Sequence, residues 1–366
     1  MAPTKSEFRI VAGKNERDDH VFAVIVKRSY SIAPDSILVR RATDHGLRAI
    51  DGYYDNGDPA WSTVQYEYEL APYKPSTDVV VIGNAYAPNG TPTQTMAVGV
   101  RVGTREKVLS IIGDRSCCYR ANAPPAFTDP RPFTEMEIRY DRAYGGRDEQ
   151  SVAEIPFHYP RNPMGRGVAL RNVKAVIDKL ALPNIEDPDD LLTPERIVIG
   201  EPARWHLQPL PQGFGWRQRT WYPRCALLGA YPSFLDVGTA TTEERMGLLP
   251  RNHIALAKQF KLPIYEAYSN NGASFGMTFQ RFNGDEALSL RGLTPEGLLE
   301  FSLPGETPRI TLDIGRGEDL LESRLHTVSI RPDDREVDLI WRGACIYEGY
   351  SWYPKMKRLY AQVLPS

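Results

Sequence analysis

Gly272-Ala273-Ser274-Phe275-Gly276 satisfies the Gly-x-Ser-x-Gly pattern of a serine nucleophile, and Asp313 or Asp319 followed by His326 supplies a triad order downstream. Such a serine works only from a tight strand-to-helix turn, with its hydroxyl exposed and the next amide aimed at the developing oxyanion. Here the flank MTFQRFNGDE reads as a strand, residues 265–271 do not read as a buried parallel strand, and the strand–helix alternation of an α/β-hydrolase is missing. The expectation is a glycine-rich turn before a strand and no catalytic residue. His20, His45, His158, His206, His253 and His326 stand apart, none at a short metal-ligand spacing, so no metal centre is expected. Glu186/Asp187 and Asp333/Asp334 are the kind of pair a glycosidase sets across a cleft, but turn roles explain them more simply. With no P-loop and no Gly-x-Gly-x-x-Gly turn between strand and helix, no cofactor is expected either.

Arginine interleaved with aromatics is the more informative pattern. In RYDRAYGG, Arg139 and Arg142 alternate with Tyr140 and Tyr144 before Gly145-Gly146; in WRQRTWYPR, Trp216, Trp221 and Tyr222 interleave with Arg217, Arg219 and Arg224. Trp, Tyr and Arg dominate interface hot spots because they join large apolar area to directed donors. The same residues also serve as loop anchors, with guanidinium groups tying down carbonyls. Residues 139–146 read as anchors. Residues 216–224 carry more such side chains than one loop needs, and are expected to form part of an exposed partner-binding surface.

The elements that must position these loops read as β at both ends of the chain. HVFAVIVKRSYSI is apolar on both faces and suits a central strand, and VQYEYEL alternates at the period of a half-buried one. DVVVIGNAY leads to a Pro88-Asn89-Gly90 turn, and Met96, Val98, Val100 and Val102 then pair with KVLSIIG as a hairpin. MTFQRF, ALSLRGL, LLEFSLPG and RITLDIG follow as strands, and TVSIRPDDREVDLIWRGA is the clearest hairpin. Between them the chain is rich in Pro, Gly, Trp and Arg and reads as long ordered loops with few helices, among them NVKAVIDKL with Asn172 as cap and TTEERMGLL with a Thr241/Glu244 capping box broken by Pro250. The expected fold is mainly β, with antiparallel, sandwich-like sheets, long ordered central loops and a few short helices. Residues 1–120, 121–260 and 261–366 are three regions that could form one integrated body.

Composition narrows the function classes. With 44 Lys+Arg against 46 Asp+Glu the formal net charge is -2, so the broad positive field that phosphate-backbone binding needs is absent. The local basic clusters at Arg139/Arg142 and residues 355–358 read as solvated faces. No apolar run reaches transmembrane length and the N-terminus has no signal-peptide core, so a cytoplasmic protein without membrane insertion is expected. Cys117, Cys118, Cys225 and Cys345 form no C-x-x-C pair and are expected as free buried thiols.

The ordered set IIGDR, PFTEMEIRYDRAYGG, NPMGRG, LPNIEDP, PQGFGWRQRTWYPR, GDEALSLRGL, LPG at Leu303 and TVSIRPDDREVDLIWR resembles a family of bacterial domains encoded beside type VI secretion effectors, over residues 21–342. Members are taken to be effector adaptors or chaperones. The resemblance therefore implies a protein that binds a cognate toxin and helps mount it on the spike trimer or its PAAR-type tip, with no catalytic residues to carry over. It implies structural roles for Arg139, Tyr140, Tyr144, Gly145, Gly146, Asn162, Pro163, Gly165, Arg166, Gly167, Pro183, Asn184, Trp341 and Arg342. Departures are LLPRNHIALAKQF in place of a Pro-x-Asp-Phe-Asp segment, His326 in place of an acid, and Cys117-Cys118 where an aromatic is common. A β-rich carbohydrate-directed or other hydrolytic enzyme and a structural component of the secretion apparatus remain as alternatives.

Overall fold

The computed structural model describes residues 7–15, 17, 19–55, 59, 62–148, 157–227, 266–280, 282–315, 317–347 and 359–364. The Thr241/Glu244 box, His253, the departing segment at 248–260 and the basic cluster at 355–358 lie outside them.

The main sheet is seven-stranded, in the order β1 (Glu7–Lys14), β2 (His20–Ile32), β14 (Glu336–Ile346), β13 (Arg324–Arg331), β4 (Thr77–Val81), β8 (Thr278–Phe279), with β3 (Leu38–Arg40) also pairing with β2. All pairs are antiparallel except β13 with β4. The apolar run of β2 becomes a central strand because both its faces are covered: Val21, Ala23, Ile25, Lys27 and Ser29 are buried on one, and the even-numbered residues of the other meet two sheets in succession. Phe22, Val24 and Val26 pack on a small three-stranded sheet of β11 (Arg309–Asp313), β12 (Glu318–Leu321) and β15 (Tyr360–Leu364), contributing Ile310 and Leu312. Tyr30 and Ile32, with Val328, Ile330, Val337, Leu339 and Trp341 of the β13–β14 hairpin, face a second large sheet.

That five-stranded antiparallel sheet runs β7 (Ile185–Glu186), β6 (Arg105–Ile112), β5 (Thr95–Val102), β9 (Ala287–Arg291), β10 (Leu298–Ser302). Its inward residues Val98, Val100, Leu109, Leu290 and Phe301 complete the largest apolar core. Burying each such side chain contributes roughly 1.5–3 kcal/mol. Both large sheets draw strands from both ends of the chain: β2 lies against β14, β4 against β13, and β5 against β9. The fold is mainly β with antiparallel sheets, as the alternation of apolar residues requires.

Three α-helices of one turn occur among the described residues: α1 (Lys174–Ile177), α2 (Arg224–Leu227) and α3 (Glu266–Ser269). α1 lies within NVKAVIDKL, but its cap position is Val173 and no side chain caps it. The central loops hold a core of their own, with Tyr144, Tyr159, Trp205 and Tyr222 linked edge to face at centroid distances of 5.1, 6.1 and 5.1 Å. Long loops are tolerated here because they bury aromatic area, the currency that strands use elsewhere. Cys117 and Cys345 are buried thiols, while Cys118 and Cys225 are only half-buried. No described helix is long and apolar enough to cross a membrane.

Candidate functional site

The two arginine/aromatic stretches lie on either side of one buried hub. Asn162 donates from Nδ2 to the carbonyls of Tyr140 (2.7 Å) and Tyr144 (3.1 Å), and its own carbonyl accepts from Gly146 (2.9 Å). Gly145 passes so close to Asn162 that a Cβ would overlap that carbonyl. Arg166 donates to the Asp141 carbonyl (2.9 Å) and to Asn184 Oδ1 (3.2 Å), and Asn184 donates to the Ile112 carbonyl (2.9 Å). Gly165 has no room for a side chain beside the Ala143 carbonyl, Gly167 packs on Pro183, and Pro163 is half-buried in the same turn. The segments RYDRAYGG, NPMGRG, LPNIEDP and IIGDR are thus stitched to one another through main-chain carbonyls. Arg139 acts differently from the expected carbonyl anchor. It lies over Tyr54 and pairs with Asp141 (2.7 Å), Asp55 (2.7 Å) and Glu137 (3.3 Å).

Residues 216–224 are folded inward, which corrects the expectation of an exposed surface there. Trp216, Trp221, Tyr222 and Arg224 are 5, 2, 1 and 1 % exposed. Arg217 and Arg219 are half-buried. The surplus of cations is used internally. Arg224 Nη2 pairs with Glu67, its Nε donates to the Ser269 carbonyl (2.8 Å) and its Nη1 to the Arg217 carbonyl. Arg219 bonds Asn270 (3.0 Å) and lies 3.6 Å from Glu67, while Arg217 donates to the Ala273 carbonyl (2.8 Å) and covers Phe275. Gly272 is required at the crossing, since a Cβ there would stand 2.7 Å from both Arg224 and Glu67. Glu67 therefore points in, against the apolar-in, charged-out alternation of VQYEYEL.

The same charged layer continues along the main sheet. Lys74 and Asp78 form a buried pair at 2.7 Å; Lys27 bonds Glu69 (2.8 Å); Asp338 holds Arg331 (2.9 Å) and Ser29. Arg342 donates to the carbonyls of Ala71 (2.8 Å) and Glu69 (2.7 Å), and its neighbour Trp341 lies in the apolar core. His45 is not isolated: its Nδ1 lies 2.9 Å from Asp338 and 3.2 Å from Ser29 Oγ. Serine and aspartate share one ring nitrogen here, so this is not the triad arrangement, in which they occupy opposite nitrogens. His326 sits at a β-bulge in β13, and burial followed by the nearby cations Arg342 and Lys74 lowers its basicity well below that of a free histidine.

Ser274 is 0 % exposed. It lies in a turn before β8 with its amide on the Gly215 carbonyl (3.0 Å), and Trp216 pairs with Ala273 in an isolated bridge. Its hydroxyl lies 2.7 Å from Tyr140 Oη and 3.1 Å from Lys107 Nζ. Sequence reasoning missed Lys107, and a signal was present: Lys107 alternates with Leu109 and Ile111 on β6 and pairs with Val100, placing a lysine at a core-facing position. Lys107, Asp187, Gln212 and Phe275 border a cavity of about 450 Å³. No group of three or more His, Cys, Asp or Glu able to hold a metal occurs among the described residues.

Among the described residues, β10 is an edge strand of the five-stranded sheet. Gly292 N to Gly297 O and Leu303 N to Glu286 O flank the β9–β10 ladder, so Leu299 and Phe301 bond inward and the main-chain groups of Leu298, Glu300 and Ser302 face away from it. Beside this edge, Ile37, Leu38, Phe301, Leu303 and Glu306 border a groove of about 790 Å³, and Leu298 and Ile37 are 54 and 59 % exposed.

A mainly-β chain whose motif loops are tied together by buried amide, guanidinium and carboxylate groups is the class that fold and site define. The chain matches, over residues 17–342, the model of a family described as an uncharacterized protein conserved in bacteria (DUF2169), and belongs to that family. No curated protein matches the chain. No solved structure matches it.

Proposed function

We propose that this chain is a type VI secretion effector adaptor or chaperone, binding a cognate toxin and promoting its loading onto the spike trimer or a PAAR-type tip. Its place of action in this reading is the bacterial cytoplasm, and it performs no catalysis on its cargo. One contrast carries the reading: Ser274 and the 216–224 stretch are turned inward and bonded, whereas a sheet edge with outward main-chain groups stands beside a groove of mixed apolar and polar lining. An open edge recognises an extended segment by completing its ladder, with affinity from main-chain hydrogen bonds and selectivity from alternate side chains. The ordered motifs support the same reading, because they act as internal ties that hold the platform rigid.

The test is a pulldown with the toxin encoded beside this gene, using wild type, Glu300→Pro and Leu298→Asp. Proline at 300 removes an outward donor and leaves the β9–β10 ladder intact. Both variants should melt like wild type and lose at least tenfold in cargo affinity, about 1.4 kcal/mol. Unchanged capture moves the binding surface elsewhere. Absence of any one-to-one complex with toxin, together with symmetric self-assembly, favours a structural component instead.

A further inference from the structure

Hydrogen counting at the buried hub points to an unusual lysine. Tyr140 Oη has Ser274 Oγ as its hydrogen-bond partner at 2.7 Å, in a site where neither residue is more than 3 % exposed. A buried phenol must donate its proton to something, so Tyr140 donates to Ser274. Ser274 must then pass its own proton on, and the neighbouring partner is Lys107 Nζ at 3.1 Å. A lysine accepts a hydrogen bond only when it is a neutral amine. As an ammonium it would donate to Ser274 as well, leaving a buried hydroxyl proton with no acceptor, a loss of about 1–3 kcal/mol.

The surroundings agree. Lys107 donates to the Phe275 carbonyl (2.6 Å), and among the described residues no carboxylate lies within ion-pair distance of it. Burial, then the Arg217 guanidinium, lowers its pKa to about 7, with Asp187 pulling weakly the other way. Burial pushes the Tyr140 phenol up to about 12, so it remains a donor throughout the neutral range. The groups facing Lys107 are thus Tyr140 and Ser274 from the hub, Arg217 from its loop, Asp187 and Asp189 from beyond β7, and Arg105 and Glu106 on its own strand.

We propose that Lys107 is a covalent capture site for small uncharged aldehydes, which reach it through the 450 Å³ cavity it borders. Phe275, Met277, Phe279 and Leu210 give that cavity apolar walls, whereas Glu106, Asp187 and Asp189 on its border disfavour a carboxylated ketone. In the reaction the amine lone pair attacks the carbonyl carbon, the C=O π pair moves to oxygen, and a proton passes from nitrogen to that oxygen. Loss of water then leaves the C=N bond of an imine. Nothing is oxidised or reduced, and hydrolysis reverses the step. The neutral imine nitrogen keeps one lone pair, so it can go on accepting the Ser274 proton while Tyr140 continues to donate to Ser274.

The experiment treats the full chain with benzaldehyde and sodium cyanoborohydride, the latter only to fix the imine, between pH 6 and 9, and locates N-benzyl groups by peptide mass spectrometry. Lys174 and Lys179, both exposed, are internal references, and the chain's α-amino group is followed separately because it also titrates near neutrality. At pH 7 Lys107 should label at least about tenfold faster than either reference. A lysine titrating near 7 holds a free-amine fraction roughly a thousandfold above that of a lysine in a model peptide, partly offset by its weaker intrinsic nucleophilicity. Its rate should rise to a plateau with a midpoint near pH 7, and Ser274→Ala should move that midpoint upward. Labelling of Lys107 no faster than Lys174, or a midpoint near 10, overturns the proposal. The comparison is internal to the wild-type chain, so a variant that fails to fold does not blunt it, and cargo binding does not enter.

Discussion

Two layers of this protein are equally buried and opposite in chemistry. Between the main sheet and the five-stranded sheet lies an apolar layer of Val328, Ile330, Val337, Leu339, Val98, Leu109 and Leu290. On the main sheet's other face, under residues 44–48, residues 67–71 and the 216–224 loop, lies a charged one: Lys27, Arg331, Asp338, Arg342, Lys74, Asp78, Glu67 and Arg224. Apolar contact has no direction, so the first layer tolerates small losses locally. Each ion in the second is held by named partners, and deleting one strands the others in a medium that penalises lone charge. The charged layer should therefore be the less forgiving of the two.

The largest effect should come from Arg224. Arg224→Met leaves Glu67 buried without its main partner and removes donors from the Ser269 and Arg217 carbonyls, so denaturant unfolding should show a loss of about 3–5 kcal/mol. Adding Glu67→Leu should cost less than the sum of the two single changes, because it also removes the stranded charge. Additive losses would show that the two residues do not act as a pair.

Asn162→Ala tests the tie between the motif loops. The carbonyls of Tyr140 and Tyr144 lose their side-chain donor, and stability should fall by about 2 kcal/mol. In the apolar layer, Ile330→Val should cost only about 1 kcal/mol. An Ile330 variant as damaging as the Arg224 one would dissolve the distinction between the layers.

The smallest signal is a pH dependence. Burial alone would raise the Asp338 carboxyl, but the His45 hydrogen bond and the Lys27 and Arg331 cations outweigh it and hold the group well below the usual carboxylate range. A depressed carboxylate adds stability that is fully present above the unfolded value near 4 and is lost as pH falls through the folded value. From pH 7 to about pH 5 the Asp338 contribution should stay constant, and below about pH 5 wild type should lose stability more steeply than Asp338→Asn. Parallel acid titrations of the two proteins would remove Asp338 from the layer's electrostatics.

Much of the fold was legible because strand periodicity is local. Val98, Val100 and Val102, and Val328 through Trp341, announced the two hairpins, and the length and uniform apolarity of HVFAVIVKRSYSI announced a central strand. The same alternation misled at VQYEYEL, where Glu67 is inside, and at residues 216–224, where aromatic surplus looked like a surface. Periodicity reports that a residue faces away from the apolar side; it does not report whether water or another layer of protein lies there.

The sequence by itself determined the strands, their turns, the mainly-β class and the arginine/aromatic loops, because propensity, alternation and turn chemistry act over a few residues. Only the tertiary structure decided that β2 lies beside β14, that Arg224 meets Glu67 from 157 positions away, and that Tyr140, Ser274 and Lys107 converge. Those pairings join residues whose separation along the chain carries no local signal, and their partners are chosen by which buried charge or hydroxyl would otherwise go unsatisfied.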